Sequence, residues 1–166
     1  MTVIDVVRDP QALTLTVTSR LAAPRERVWQ VWADPRQLEQ WWGPPGWPAT
    51  FTDHDFVGGG VARYAMTGPD GERAAGWWRF LRVDPPVGLE LEDGFGDGPD
   101  APAPGMPVVR MVARLDEADG GTRMTLTSHF ASLEHLEQLV AMGMEEGIRA
   151  ASEQLDVLLA GGVVPR

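Results

Sequence analysis

The last third of the chain carries the constraint that decides the rest. Ser132 stands where a helix cap belongs, and beyond it Leu136, Val140, Gly143, Gly147, Ala151, Leu155 and Leu158 recur at spacings of three and four until Gly161-Gly162. A continuous helix over 133–160 would run roughly 42 Å at 1.5 Å per residue. An apolar stripe of that length needs a large apolar surface to cover it, and the rest of the chain has to supply one.

What precedes it reads almost entirely as strands. In Ala12–Leu21, Leu13, Leu15, Val17 and Leu21 alternate with Thr14, Thr16, Thr18 and Arg20, the pattern of a half-buried strand. Six further strands follow over 47–56, 61–66, 74–83, 87–95, 106–115 and 122–130. Their joints carry hairpin chemistry: Gly58-Gly59-Gly60, Gly68-Pro69-Asp70-Gly71, Asp84-Pro85-Pro86 and Asp119-Gly120-Gly121. The stretch Gly94–Pro107 is too long for a tight hairpin and reads as a rim or lid. Between the first two strands, Pro24, Glu26, Val28, Trp29, Val31 and Trp32 start one short helix, and Asp34-Pro35 caps a second that Gly43-Pro44-Pro45-Gly46 ends. The expected fold is α+β: a strongly bent, seven-stranded antiparallel sheet gripping one long C-terminal helix, with two short helices between strands 1 and 2. A single domain is expected over 1–166, its core over about 12–160.

Composition then removes whole classes of function. Against 24 acidic residues stand 14 basic ones, all arginine, for a net charge of −10 and a pI near 4.6. Such a field repels nucleic acid and anionic membranes. There is no cysteine, so no disulfide, thiolate nucleophile or Cys-ligated metal is available. No apolar run approaches the roughly 20 residues that span a bilayer. Met1–Pro10 carries Asp5, Arg8 and Asp9 where a secretory leader would be apolar, so a cytoplasmic location is expected.

Seven tryptophans are the strongest chemical feature, and five of them fall between 29 and 47. Each is accounted for by core packing, or alternatively by the aromatic wall of a small-molecule cavity. On the cavity reading the candidate binding residues are Trp29, Trp32, Trp41, Trp42 and Trp47 with Trp78 and Phe80. Met111 and Met124 would add adaptable thioethers, with Met106, Met142 and Met144 as further candidates. Gly143, Gly147 and Ile148 come from the long helix, where the two glycines mark either a void or a close sheet crossing. His54 and His129 are the candidate polar groups, each equally accounted for as an ordinary core or edge residue. Alternation sends one of Trp77 and Trp78 outward, a candidate patch for a homodimer.

Other chemistry is poorly provided for. In Asp53-His54-Asp55 the carboxylates point away from the imidazole on a strand, and no convergent ligand spacing exists, so no metal is expected. Ser19, Ser128, Ser132 and Ser152 lie in ordinary strand, cap and helix contexts without a nucleophile elbow. The acidic run Glu90, Glu92, Asp93, Asp97 and Asp100 reads as a solvated face, Arg110 and Arg114 face solvent, and Glu145 with Arg149 reads as helix support. No catalytic residue and no cofactor is expected.

The segment Ala22–Pro44, A-A-P-R-E-R-V-W-Q-V-W-A-D-P-R-Q-L-E-Q-W-W-G-P, resembles the signature of the domain in the C-terminal part of the activator of the Hsp90 ATPase. That domain belongs to the START-like, Bet v 1-like (SRPBCC) helix-grip superfamily. Gly58-Gly59, Gly68-Pro69-Asp70-Gly71, Gly76, Asp84-Pro85-Pro86 and Gly120-Gly121-Thr122-Arg123 agree with it, so the resemblance extends over about Thr14 to Ala160. It implies the helix grip and its cavity. Similar proteins usually carry Gly-Trp in the long helix, whereas Gly147 is followed here by Ile148, so ligand size does not carry over. The eukaryotic activator has an additional N-terminal domain for which this sequence has no counterpart, so an Hsp90 partnership and a stress-response role are only weakly implied. The expected function is binding of an apolar, aromatic or polyketide-like small molecule. The alternatives are an enzyme of the cyclase, aromatase or hydrolase kind, for which Arg79 joins His54 and His129 as a candidate, and an Hsp90-linked co-chaperone.

Overall fold

The computed structural model describes residues 3–162 and 164. Their order is β1 (Val3–Asp9), β2 (Thr14–Leu21), α1 (Arg25–Ala33), α2 (Pro35–Trp41), β3 (Ala49–His54), β4 (Val61–Thr67), β5 (Arg73–Asp84), β6 (Gly88–Gly98), β7 (Ala101–Pro102), β8 (Val109–Ala118), β9 (Gly121–His129), α3 (Leu133–Ala141) and α4 (Met144–Leu159). All strands join one antiparallel sheet in the order β1-β2-β9-β8-β6-β5-β4-β3, with β7 pairing to β6. The two short helices carry the chain from β2 to the far edge strand β3.

The architecture is the expected α+β grip, with two corrections of detail. The sheet has nine strands rather than seven. β1 escapes the sequence pattern because only Val3 in it is buried; it is held by pairing with β2 and by two contacts to α4. There the Val3 amide donates to Glu153 at 3.2 Å and Arg8 pairs with Glu145 at 3.2 Å. Glu145 therefore supports β1, not Arg149. β7 arises because the Gly/Pro-rich rim turns at Pro99–Asp100 and folds back on the end of β6, where it pairs with Gly96, at φ +108°, and Gly98.

The second correction concerns the long helix, which is two. Met142 caps α3, and Gly143, at φ +93°, takes the left-handed conformation that ends a helix and here also opens the next. The stripe keeps its register across the break, so spacing alone does not reveal it.

The core shows how local chemistry places the aromatic residues. Pro35 has no N–H for the carbonyl of Val31, four residues back, and the indole of Trp41 donates to that carbonyl at 3.0 Å instead. Asp34 accepts from the Arg36 amide at 2.9 Å and caps α2. Trp32, Trp41, Trp42 and Trp78 then interlock edge to face or tilted, with centroids 4.9–6.4 Å apart. Trp77 leaves this face yet is only 4% exposed: its indole lies over Gly94, where any Cβ would collide with it, and donates to the Phe95 carbonyl at 3.1 Å. Neither Trp77 nor Trp78 forms the outward patch expected from alternation. Among the described residues, no helix is long and apolar enough to cross a membrane.

Candidate functional site

A cavity of about 260 Å³ lies between the sheet and the broken helix pair. The sheet contributes Tyr64 and Met66 from β4, Ala74 and Ala75 from β5, Asp93 and Phe95 from β6, Val109 and Met111 from β8, and Ser128 from β9. Leu139, Met142, Gly143, Met144, Gly147, Ile148 and Ala151 form the helical wall, and Trp42, Gly43 and Pro44 complete it. A Cβ built on Gly143 or on Gly147 would meet no atom within 4 Å, so both glycines mark a void and not a close crossing. Met142, 56% exposed, sits at the helix break and reaches solvent. Gln154 on α4 fixes the Trp42 end, its amide donating to the carbonyls of Trp41 at 3.0 Å and Gly43 at 2.8 Å.

Into this apolar space projects one carboxylate. Asp93 has the same parity on β6 as Leu89 and Leu91, which are wholly buried, while Glu90 and Glu92 turn outward to Arg110 and Arg79. The Tyr64 hydroxyl donates to Asp93 Oδ1 at 2.9 Å. No ion pair among the described residues includes Asp93. Loss of water raises its pKa to about 7, against the hydrogen bond from Tyr64 and the Trp78 indole, which favour the charged form. Burial and the Asp93 charge likewise push the Tyr64 phenol well up. The indole N–H groups of Trp42 and Trp78 lean toward Tyr64 and Asp93 respectively but complete no hydrogen bond, and the Ser128 hydroxyl is also without a partner.

A model of the family described as "Activator of Hsp90 ATPase homolog 1-like protein" matches residues 22–160. The chain belongs to this family. Its Hsp90-activator-like fold is shared by protein Ms6760 from Mycobacterium smegmatis, at 49% identity and a TM-score of 0.87, with 95% of this chain and 96% of that one covered. A protein from Arthrobacter aurescens, solved in solution, gives 46% identity, a TM-score of 0.91 and coverage of 96% and 93%. A Rhodobacter sphaeroides protein gives 25% identity, a TM-score of 0.81 and coverage of 95% and 98%. No curated protein matches the chain.

In this member of the Hsp90-activator-like family, five of the residues expected at the site line the cavity: Trp42, Met111, Gly143, Gly147 and Ile148. Met142 and Met144 line it as well, whereas Met106 and Met124 do not. Trp32, Trp41, Trp78, Phe80 and Met124 lie in the solid core beside it. Trp29 packs on Phe56 at 5.3 Å at the core's margin, and Trp47 lies over Gly68. His54 also lies outside the lining: its Nε2 is 3.0 Å from the Trp32 carbonyl, its ring stacks on Phe56, and burial lowers its pKa. His129 faces away, opposite Arg110, and its neighbour Ser128 faces in. Burial and Arg110 lower the His129 pKa.

The polar groups of the site are thus Asp93, Tyr64 and Ser128. Parity with Leu89 and Leu91 is the signal for Asp93, hidden by the acidic neighbours with which it is grouped in the sequence. Among the described residues no three His, Asp or Glu side chains converge to hold a metal.

Proposed function

We propose that this protein binds an apolar small molecule between sheet and helices. The observation that carries the reading is the mostly apolar cavity of about 260 Å³ between sheet and helices, with open space beside Gly143 and Gly147 in its helical wall. Gly147, inside α4, costs about 0.5–1 kcal/mol relative to alanine, so the void beside it needs an occupant to explain it. Drug-sized pockets run from about 300 to 1,000 Å³. A cavity just below that range suits a compact ligand of one or two fused rings better than an extended polyketide.

Native mass spectrometry after exposure to a host extract tests this, together with thermal shift against a panel of apolar probes. An adduct that disappears on denaturation, or a Tm that rises with probe concentration as RT ln(1 + [L]/Kd) requires, supports binding. A clean apo mass and an unchanged Tm across the panel would refute it.

The Tyr64–Asp93 pair supports a second reading, general acid–base turnover of a bound molecule, since a carboxyl that titrates near neutrality moves protons effectively. Chemical change of a captured ligand by the wild type, lost in Asp93→Asn, is the outcome that reading requires.

A further inference from the structure

A carboxylate offers about four acceptor positions, and Asp93 fills one with a completed hydrogen bond, the Trp78 indole N–H leaning toward it without completing a second. Its Oδ2 receives no hydrogen bond from any described residue, and it is not sealed away among the fully buried unpartnered atoms. The residue lines the cavity, so this oxygen opens there. A carboxylate withdrawn from bulk water with an unfilled acceptor position is costly unless a donor reaches it. No arginine among the described residues does. The surrounding surface is aromatic: Tyr64, Trp42 and Phe95 flank the position, and Trp42 meets Tyr64 edge-on at 6.5 Å.

We propose that Asp93, steadied by Tyr64, is the polar anchor of the cavity, and that the ligand is a compact ring system carrying a hydroxyl that donates to Asp93 Oδ2. This rests on the binding function proposed above and adds the ligand's chemical class. An apolar ring fills the methionine- and glycine-lined space, while its O–H supplies the second hydrogen bond that the Trp78 indole approaches but does not complete. With Asp93 ionised, above its pKa of about 7, a ligand presenting only an acceptor would meet Oδ2 lone pair to lone pair and be excluded.

Three matched probes test the idea by isothermal titration calorimetry: naphthalene, 2-naphthol and 2-methoxynaphthalene. In the wild type at about pH 8.5, where Asp93 is ionised, 2-naphthol is expected to bind at least tenfold more tightly than 2-methoxynaphthalene. In Asp93→Asn the amide oxygen can still accept from Tyr64, which turns the NH₂ toward the cavity, and the preference is expected to vanish or reverse. Tyr64→Phe leaves Oδ2 in place and is expected to keep the preference for 2-naphthol. Equal binding of the three probes by the wild type, which requires no variant to fold, would overturn the anchor and leave the cavity reading standing. A preference that survives in Asp93→Asn overturns it too. If none of the three binds, the anchor falls, and the wider thermal-shift panel decides the cavity reading separately.

Discussion

The Tyr64 phenol crosses the whole of strand β5 to reach Asp93 on β6, and it does so over Gly76. Tyr64 pairs with Gly76 in the sheet, and a Cβ at position 76 would collide with the phenol ring and its hydroxyl. The Tyr64–Asp93 contact therefore depends on a missing side chain one strand away. Gly76→Ala should displace Tyr64 and break its bond to Asp93, costing about 1–3 kcal/mol by overpacking. Denaturant unfolding measures the loss, and adding Tyr64→Leu to the same chain should recover part of it. A Gly76→Ala variant as stable as wild type would show that the ring passes freely.

Asp93 makes stability depend on pH in an unusual direction for a carboxylate. Its folded pKa of about 7 lies above the ordinary 3.8, so between those values the folded state holds more protons than the unfolded one. This contribution is fully present below 3.8 and is lost as pH rises through about 7. His54 and His129, both with lowered pKa values, act oppositely as pH falls through 6.5, so the comparison must be with a variant. Asp93→Asn should gain on wild type between pH 5 and pH 8, by roughly 2–3 kcal/mol at most. Parallel melting curves read this difference directly, and a constant gap across that range contradicts it.

Gly143 and Gly147 face the same void but should respond with opposite signs. Gly147→Ala puts a methyl into open space inside α4 and should stabilise by about 0.5–1 kcal/mol. Gly143→Ala must hold a left-handed φ of +93° and should destabilise by about 1–2 kcal/mol. Gly147→Leu should fold and yet lose at least tenfold in affinity for any apolar probe the wild type binds. Calorimetric unfolding and probe titration check the three variants together.

Gln154→Leu removes the side-chain donor that serves the carbonyls of both Trp41 and Gly43. Its two hydrogen bonds hold α4 to the end of α2, where Trp42 enters the cavity wall. A loss of about 1–3 kcal/mol is expected, with a change in tryptophan emission as Trp42 loosens. Unfolding followed by fluorescence tests it, and unaltered emission would place the wall's rigidity elsewhere.

Period and punctuation make most of the fold legible. Alternating Leu and Thr place β2, glycine and proline pairs place the hairpins, and the three–four spacing of Leu136 to Leu158 announces helix. Two features run against those signals. β1 has almost no buried face, so its strand character comes from pairing and from Glu145 and Glu153 on α4. Gly143 continues the apolar stripe, so its left-handed break is invisible to spacing.

Local propensity and alternation suffice to set the elements, the acidic surface and the supply of aromatic residues near one end of the grip, because each of these is written within a few neighbouring residues. Which of those residues surround space and which are packed solid is settled in three dimensions. Trp32, Trp41 and Trp78 fill the core, while Trp42, Met111, Gly143, Gly147 and Ile148 border the cavity. Volume left unfilled is a property of many side chains from distant elements at once. Asp93 shows the same limit: its inward direction is written in the parity of β6, but its chemistry depends on Tyr64, two strands away, and on the absence, among the described residues, of any arginine paired with it.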